Sequence, residues 1–315
     1  ENKSSEARVN NDKPRQVNWR IYAKRAILCT GAIERAIAFG NNDRPGIMMA
    51  SAVRTYVNRF AVTPGQNITV FTNNDDGWQT ARDLLLKNIK VAAVIDSRPI
   101  KPVLRIAGAE IFMGVDVIDT KGRRGLKSIK LSNGKTIETD TLAVSGGWNP
   151  NLHLTCHHRG IPKWNEEIAS FIPDESVPPG MIVAGRAKGT MVLADAIIEA
   201  HNMGSLVAKE LGFKAAKLAH ASTPEVAYNV SAHWGVENGS KRAWVDFQND
   251  VTAKDIKLAN QEGFKSVEHV KRYTTLGMAT DQGKTANVLG IGIMAQNMDQ
   301  TIEETGTTIF RPPYS

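Results

Sequence analysis

The sequence predicts an α/β protein built on a parallel sheet, and three observations lead to this fold class. Three apolar runs, Ala26–Gly31, Leu142–Gly147 and Ile182–Gly185, end in glycine, which is typical of buried parallel strands that turn into a helix. Residues 67–96 show a strand, a helix and a strand in succession, the order of a βαβ unit. Short helical patterns within 243–290 indicate a separate, smaller unit.

The composition is that of a globular protein. Of 315 residues, 42% are hydrophobic and 23% charged, and no apolar run approaches the roughly 18 residues of a membrane span. The net charge of +7 comes from scattered basic residues, so neither a nucleic acid nor a membrane is expected as a partner. Two cysteines exclude a disulfide scaffold and favour a reducing, cytoplasmic location. Because the first residue is Glu1, we expect a processed chain or a piece of a larger one.

Turn residues and apolar periodicity predict the elements of the first part of the chain. Pro64-Gly65 marks the turn before the second strand, and acidic residues begin the helix that follows it. Cys29 lies within the first strand and is expected in the core. The predicted order is a polar start over 1–18, a strand within 21–31, a helix over 48–60, a strand over 67–72, a helix over 75–88 and a strand over 90–96.

The second part alternates between short strands and longer helices. Asn133-Gly134 is a strong hairpin signal, and four prolines make the stretch 150–180 irregular. The predicted order is hairpin strands within 110–145, a buried strand over 141–147, a strand over 181–185, a helix over 190–211, and two helices over 252–262 and 266–276.

The three strand-to-glycine junctions are the candidate ligand site, because ligands of open α/β sheets bind beyond the carboxyl ends of the strands. Gly185 is followed by Lys188, Gly189 and Thr190 and then by a helix, whose free N–H groups could hold a pyrophosphate or a sugar. For each glycine taken singly, a tight strand–helix turn is the alternative. Three such junctions around one βαβ unit favour the ligand site.

Residues 72–77 depart from a phosphate-binding loop. Where the G-x-G-x-x-G pattern would stand, the chain has Thr-Asn-Asn-Asp-Asp-Gly. The carboxylates of Asp75 and Asp76 would repel a pyrophosphate, so we predict that one of them caps the helix and that no nucleotide binds there.

Taken together, these segments resemble a flavoprotein with two dinucleotide-binding domains, one inserted in the other. Longer motifs make the chain similar to the alpha (large) subunit of heterotetrameric sarcosine oxidase. The motifs that carry this resemblance are Thr30–Arg35, Asn41–Met48, Val70–Asp76, Ser145–Pro150, Asp246–Thr252 and Lys271–Lys284.

The resemblance implies a domain organisation with two nested FAD/NAD-type, Rossmann-like domains and a small, mostly helical, ferredoxin-like module. The implied parts are residues 1–60 and 146–215 for the first, NAD-binding domain with its connector, 61–145 for the inserted domain, 216–242 for a linker, 243–300 for the module, and 301–315 for a connector toward a folate-binding domain that the chain lacks.

The resemblance also implies a function, the oxidative demethylation of sarcosine to glycine with hydrogen peroxide and 5,10-methylenetetrahydrofolate. This chain would hold NAD, with FMN at the interface to the beta subunit, FAD in the beta subunit and tetrahydrofolate in the folate domain; gamma and delta subunits complete the complex. No catalytic residue is expected here. The expected cofactor-binding residues are Thr30, Gly31, Ala32, Arg35, Gly146, Gly147, Trp148, Gly185, Arg186, Lys188, Gly189 and Thr190.

Two features refine this expectation. In FAD-binding relatives Gly185 would be followed by an aspartate that accepts a hydrogen bond from ribitol, whereas Arg186 can only donate, and this favours NAD. In the [2Fe–2S] module that 243–300 resembles, four cysteines hold the cluster; their positions here carry Asp246, Gln248, Asp281 and Ala286, so no cluster and no metal are expected.

Two alternatives stay open at this point. The chain could be a non-catalytic scaffold or interaction subunit that binds no nucleotide, or it could belong to another amine, opine or proline dehydrogenase. The missing thiolates argue against the second alternative.

Overall fold

The computed structural model describes residues 17–100, 106–215, 227–235 and 241–313. The strands before residue 184 are β1 (Ala26–Leu28), β2 (Ala32–Glu34), β3 (Ile47–Met49), β4 (Ile68–Thr72), β5 (Val91–Asp96), β6 (Glu110–Met113), β7 (Val117–Lys121), β8 (Ser128–Leu131), β9 (Thr136–Glu138), β10 (Thr141–Ser145), β11 (Trp148–Pro150), β12 (Lys163–Asn165), β13 (Ser170–Ile172) and β14 (Met181–Val183). The helices before residue 216 are α1 (Ala50–Phe60), α2 (Asp75–Leu86) and α3 (Leu193–Glu210), with short 3-10 helices at His153–His158 and Gly185–Ala187.

A five-stranded sheet in the order β3-β10-β4-β5-β6 forms the centre of the fold, and all of its strand pairs are parallel. Every residue of β4 and β10 is buried, which explains why these strands appear in the sequence as continuous apolar runs. The α/β fold class with a parallel sheet, predicted from the βαβ unit, is confirmed.

Two layers cover this sheet. Helices α1 and α2 pack on one face through small and aromatic side chains such as Ala50, Val53 and Trp78. The antiparallel sheet β7-β8-β9 covers the other face, where Ile129 and Leu131 share a cluster with residues of β4 and β5. The hairpin predicted at Asn133-Gly134 is confirmed, because this pair lies in the turn between β8 and β9.

The first domain boundary differs from the expected one. Strand β3 pairs with β10 in the central sheet, and α1 packs against α2 and β10. The inserted unit therefore includes residues 47–60, and the boundary expected at residue 61 is too late. Apolar alternation alone could not reveal this, because β3 is only three residues long.

Around this unit lie shorter pairs of strands. Strand β1 pairs in parallel with β14, β2 pairs with β11, and β12 pairs with β13. The strand predicted within 21–31 is reduced to three residues, and Ile27 is 39% exposed. Cys29 is exposed, so the prediction that places it in the core is wrong.

The smaller unit consists of one hairpin and four helices. Its elements are β15 (Trp244–Asp246), β16 (Val251–Thr252), α4 (Ala253–Gln261), α5 (Val267–Thr274), α6 (Asn287–Met298) and α7 (Ile302–Thr305). Both predicted helices are present as α4 and α5. Helix α4 begins with a capping box between Thr252 and Asp255. Helix α6 is its centre, with nine buried residues.

Residues 227–235, which we call the strap, fall within the predicted linker but are packed on the domain. Backbone bridges join Val230 to Asn74 and Gly235 to Ala38. The indole of Trp234 is buried in the same hydrophobic cluster as α6. This part of the chain therefore connects the central sheet to the smaller unit. No helix in the described ranges is long and apolar enough to cross a membrane.

Candidate functional site

Two of the predicted junctions lie side by side. Strand β2, which follows Gly31, pairs with β11, which follows Gly147. The Thr30 hydroxyl donates to the Asn151 carbonyl oxygen at 2.9 Å, and the Asn151 N–H donates to the Gly31 carbonyl oxygen at 2.9 Å. These contacts bring Thr30–Ala32 against Pro150–Asn151, while at the other end of β2 the Arg35 N–H donates to the Gly147 carbonyl oxygen and the Gly146 N–H donates to the Arg35 carbonyl oxygen.

Arg186 brings the third junction to the same place. Its guanidinium carbon lies 4.5 Å from the centre of the Trp148 ring, and its Nη2 lies 3.5 Å from Oδ2 of Asp76. Trp148 Nε1 donates to the same Asp76 carboxylate at 2.6 Å. Arg186 and Trp148 thus form a stacked pair that shares one acceptor.

This pair borders an open groove of about 470 Å³, which we call the Trp148 groove. Arg54, Arg59 and Arg186 line it together with the Asp76 carboxylate, and Arg54 also pairs with Asp83 at 3.0 Å, so only a small excess of positive charge remains. Sequence reasoning missed Arg54 and Arg59 of α1; the periodicity of that helix leaves them off its buried face but does not show that they border a groove. The groove is lined by Ser51, Arg54, Thr55, Asn58, Arg59, Asp76, Trp148 and Arg186.

Glu34 lies beneath the groove as a buried acid. Its Oε2 accepts a hydrogen bond from the Ser51 N–H at 2.7 Å, at the start of α1. Burial raises the pKa of Glu34 to about 7, because hydrogen bonds from Ser145 and Ser51 only partly offset the loss of water. The side chain can therefore hold or release a proton near neutral pH.

Arg35 is the most deeply placed of the predicted site residues. Its guanidinium is fully buried and donates to the carbonyl oxygens of Gly146 and Ala169 and to Oδ1 of Asn149. One nitrogen, Nη2, has no partner. Burial lowers the pKa of Arg35 to about 10, so the side chain remains a cation. It reaches a ligand only through Nη2, not at the surface of the groove.

The loop after β14 differs from the expectation. Helix α3 begins at Leu193, not near Thr190, and a 3-10 turn precedes it. The Glu199 carboxylate accepts hydrogen bonds from the Gly185 N–H, from Lys188 Nζ and from the Thr190 hydroxyl, at 2.7 to 2.8 Å. Burial alone would raise the pKa of Glu199, but these hydrogen bonds outweigh it and lower the pKa.

An internal carboxylate thus satisfies the donors that were expected to hold a pyrophosphate. Gly189 packs against Ile168 and Ile172, where an added Cβ would lie 2.8 Å from Cγ2 of Ile172. The Trp148 groove is therefore lined by Arg186 but not by Lys188, Gly189 or Thr190. Gly185 is the residue directly before Arg186.

The start of α2 is closed by its own chain. Asn74 caps the helix and accepts hydrogen bonds from the N–H groups of Asp76 and Gly77. The prediction of an aspartate cap is wrong. Asp75 instead pairs with Arg98 at 2.9 Å and accepts from the strap residue Asn229, while its own N–H donates to the Asn229 carbonyl oxygen.

Two of the four positions that carry cysteines in the resembled [2Fe–2S] module hold local structure with their side chains. The buried Asp246 carboxylate accepts from the N–H groups of Gln248, Asn249 and Gly277. Asp281 accepts from the Thr285 hydroxyl and from the Gly283 N–H. Among the described residues, no group of three or more His, Cys, Asp or Glu side chains is placed to hold a metal. The absence of a cluster stays a prediction.

Comparison with solved structures gives the class of fold. L-proline dehydrogenase from P. horikoshii superposes on 92% of this chain and 57% of its own, with a TM-score of 0.72 and 20% sequence identity. At this identity the likeness shows the fold alone. The chain is an α/β protein with Rossmann-like domains followed by a small helical unit.

Sequence comparison gives the particular relatives. The chain is 42% identical to sarcosine oxidase subunit alpha of Rhizobium meliloti (strain 1021) and 36% identical to that of Corynebacterium sp. (strain P-1), each over 94% of its length. Residues 240–315 match the family described as sarcosine oxidase A3 domain. The chain is thus homologous to sarcosine oxidase alpha subunits, as its motifs predict. It spans 30% and 33% of the length of these two relatives.

Proposed function

We propose that this chain acts as part of the alpha subunit of a sarcosine oxidase complex, which oxidises sarcosine to glycine and releases hydrogen peroxide and 5,10-methylenetetrahydrofolate. The observation that carries the proposal is 42% identity to such a subunit over 94% of the chain. The beta, gamma and delta subunits, FMN at the beta interface, FAD in the beta subunit and bound tetrahydrofolate follow from the same resemblance. With two cysteines and no disulfide framework, we place the complex in the cytoplasm.

Within this complex, the chain contributes a binding site for NAD at the Trp148 groove. Asp76, Trp148 and Arg186, which follow the ends of β4, β10 and β14, line the groove, as expected of a dinucleotide site. Arg54, Arg59 and Arg186 outnumber the carboxylates of Asp76 and Asp83 that pair with them, which suits an anionic ligand. Trp148 offers a flat ring at the edge of the groove. When bound, NAD would supply a nicotinamide ring and a pyrophosphate.

The residues proposed to hold NAD are a reduced set of those expected from the sequence. Arg35 belongs to it through its unpartnered Nη2. Lys188, Gly189 and Thr190 leave it because the side chains of Lys188 and Thr190 donate to Glu199 and because Gly189 packs on β13. The Gly185 N–H also donates to Glu199, and Gly185 stays in the set as the residue directly before Arg186. The set is Thr30, Gly31, Ala32, Arg35, Gly146, Gly147, Trp148, Gly185 and Arg186.

Calorimetry with NAD tests this site. We expect Arg186→Gln to weaken NAD binding at least tenfold, because the cation stacked on Trp148 is lost. Arg124→Gln, at an exposed position of the β7–β8 turn, is the matched control and should bind as the wild type does. Equal affinity in the two variants would contradict the assignment. Coexpression with the partner subunits, followed by peroxide release from sarcosine, tests the activity.

A nucleotide-free scaffold is the second candidate function, and one observation favours it. Glu199 already accepts hydrogen bonds from three donors at the start of α3, where a dinucleotide would place a phosphate. Mass analysis of small molecules released by heat distinguishes the candidates. NAD in the supernatant supports the first, and no nucleotide together with no calorimetric signal supports the second.

A further inference from the structure

A fully buried guanidinium has one nitrogen without a partner. Nε and Nη1 of Arg35 donate to three acceptors of the chain, all of them neutral, whereas Nη2 makes no hydrogen bond. In the part of the chain that the structure describes, no carboxylate forms an ion pair with Arg35. Burying a cation without a counter-charge is costly, so the site favours an additional acceptor.

Tyr228, on the strap, supplies a second free donor. Its hydroxyl oxygen is buried and has no hydrogen-bond partner. Tyr228 and Arg35 lie close enough for each to act on the pKa of the other. Burial raises the pKa of Tyr228, so the hydroxyl keeps its proton at neutral pH and can donate it to an acceptor.

Gly147 lies directly beside the free guanidinium nitrogen. Its φ is +102°, and a Cβ there would lie 2.8 Å from Arg35 Nη2 and 3.5 Å from Cγ2 of Val230. Any side chain at this position would therefore occupy the volume that Nη2 faces. The Trp234 ring, whose centre is 4.5 Å from the guanidinium carbon, stacks against the same group and holds it in place.

We propose that Arg35, Tyr228 and Gly147 form a subsite for one oxyanion group, a carboxylate or a phosphate, which accepts hydrogen bonds from Arg35 Nη2 and Tyr228 Oη. We call it the Arg35 subsite. It lies next to the Trp148 groove, because Gly147 directly precedes Trp148, which lines that groove. Only the identity of the molecule that carries the anion rests on the proposed function.

The charge balance favours an anion over a neutral group. Arg35 Nη2 can only donate, whereas Tyr228 Oη can donate or accept, so an acceptor ligand satisfies both groups and a donor ligand could bind the hydroxyl alone. A neutral acceptor would satisfy the hydrogen bonds but leave the Arg35 charge unbalanced. Glu34 is the nearest residue in sequence that could balance it, yet its carboxylate accepts from Ser51 at the start of α1.

Small anions test the subsite directly. Sodium formate and sodium phosphate are titrated separately into the intact protein at constant ionic strength, and the melting temperature is recorded. We expect a saturable rise with at least one salt; a response to formate alone identifies a carboxylate site and a response to phosphate alone a phosphate site. Tyr228→Phe should weaken the apparent affinity roughly tenfold, because one hydrogen bond to a charged group is lost.

Two further variants complete the experiment. Tyr22→Phe, at a residue that is 93% exposed, is the matched control and should respond as the wild type does. Gly147→Ala should abolish the response by filling the space; circular dichroism checks its fold, and Tyr228→Phe decides the matter if it does not fold. An equal, non-saturating rise in all proteins, which indicates a general salt effect, would overturn the proposal.

Calorimetry with NAD separates this proposal from the proposed function. NAD binding without any small-anion response would overturn the Arg35 subsite and leave the NAD site intact. A small-anion response that Tyr228→Phe weakens, in a protein that binds no NAD, would support the subsite and contradict the NAD assignment.

Discussion

At the scale of single residues, burial decides what each charged group can do. Glu34, Arg35 and Asp75 are all nearly inaccessible to water, but their partners differ. Asp75 has a full set of charged and polar partners, Glu34 has neutral donors, and Arg35 has one nitrogen with none. Asp75 is therefore structural, whereas Glu34 can exchange a proton and Arg35 can bind a ligand through its free nitrogen.

Glu34 makes stability depend on pH. Its folded pKa of about 7 lies above the ordinary value of 4.5. Between these values the folded state binds the proton and the unfolded state does not, so stability falls as pH rises through this range. Above pH 7 the loss of stability is complete, and the pKa difference corresponds to about 3 kcal/mol in the free energy of unfolding. Urea denaturation at pH 5, 6, 7 and 8 measures it.

Glu34→Gln removes this titration and keeps an oxygen that accepts from Ser51. We expect the variant to become more stable than the wild type as pH rises from 5 to 8. Glu138→Gln, at an exposed position of β9, serves as control and should follow the wild type. Parallel curves for wild type and Glu34→Gln would show that Glu34 does not carry the effect.

Asp75→Asn should destabilise the fold without weakening NAD binding. The change removes the charge that faces Arg98 at 2.9 Å and weakens the hydrogen bonds from Asn229 to the side chain. We expect a loss of about 2 kcal/mol in the free energy of unfolding, since hydrogen bonds between charged groups are involved. Asp43→Asn, at an exposed residue, should change neither quantity. Lost NAD binding with unchanged stability would place the nucleotide at α2 after all.

At the scale of elements, glycine has opposite roles in two helices. Gly292 of α6 packs against the indole of Trp234, whereas Gly204 of α3 has no atom near the place of a Cβ. The first glycine permits the helix to approach the strap closely. The second contributes only conformational freedom to the unfolded chain.

Gly292→Ala and Gly204→Ala form a matched pair. The first should lower the free energy of unfolding by about 1–3 kcal/mol, because the new methyl group would overlap the Trp234 ring. The second should raise it by up to about 1 kcal/mol, since alanine favours the helix. Chemical denaturation measures both. Equal effects in the two helices would contradict the packing of α6 on the strap.

At the scale of the whole molecule, the strap joins the parts that the sequence separates. It contacts the start of α2 through Asn229 and the smaller unit through Trp234, and it places Tyr228 within electrostatic reach of Arg35. The smaller unit meanwhile uses Asp246 and Asp281 to hold its loops. Two of the four positions that would hold a cluster in the resembled module thus have a structural role in this protein.

Two expectations belong to this scale. The purified protein should contain no iron, because no thiolate stands at the four cluster positions. Stoichiometric iron with sulfide would contradict this.

The chain alone should not form peroxide from sarcosine, since no residue here can accept a hydride without a flavin. Peroxide formed without partner subunits would show that the roles are assigned wrongly.

The sequence by itself determined the α/β class, the parallel sheet, the Asn133-Gly134 hairpin and the similarity to sarcosine oxidase alpha subunits. These depend on local signals, namely apolar periodicity, turn residues and long motifs, which are visible in one dimension. Only the tertiary structure decided that Asn74 caps α2, that Glu199 fills the loop after β14, and that Arg54 and Arg59 face the groove. It also decided that Tyr228 lies within electrostatic reach of Arg35. Each of these contacts joins residues whose proximity depends on how helices and strands pack, and a donor or acceptor in a sequence does not show which group satisfies it.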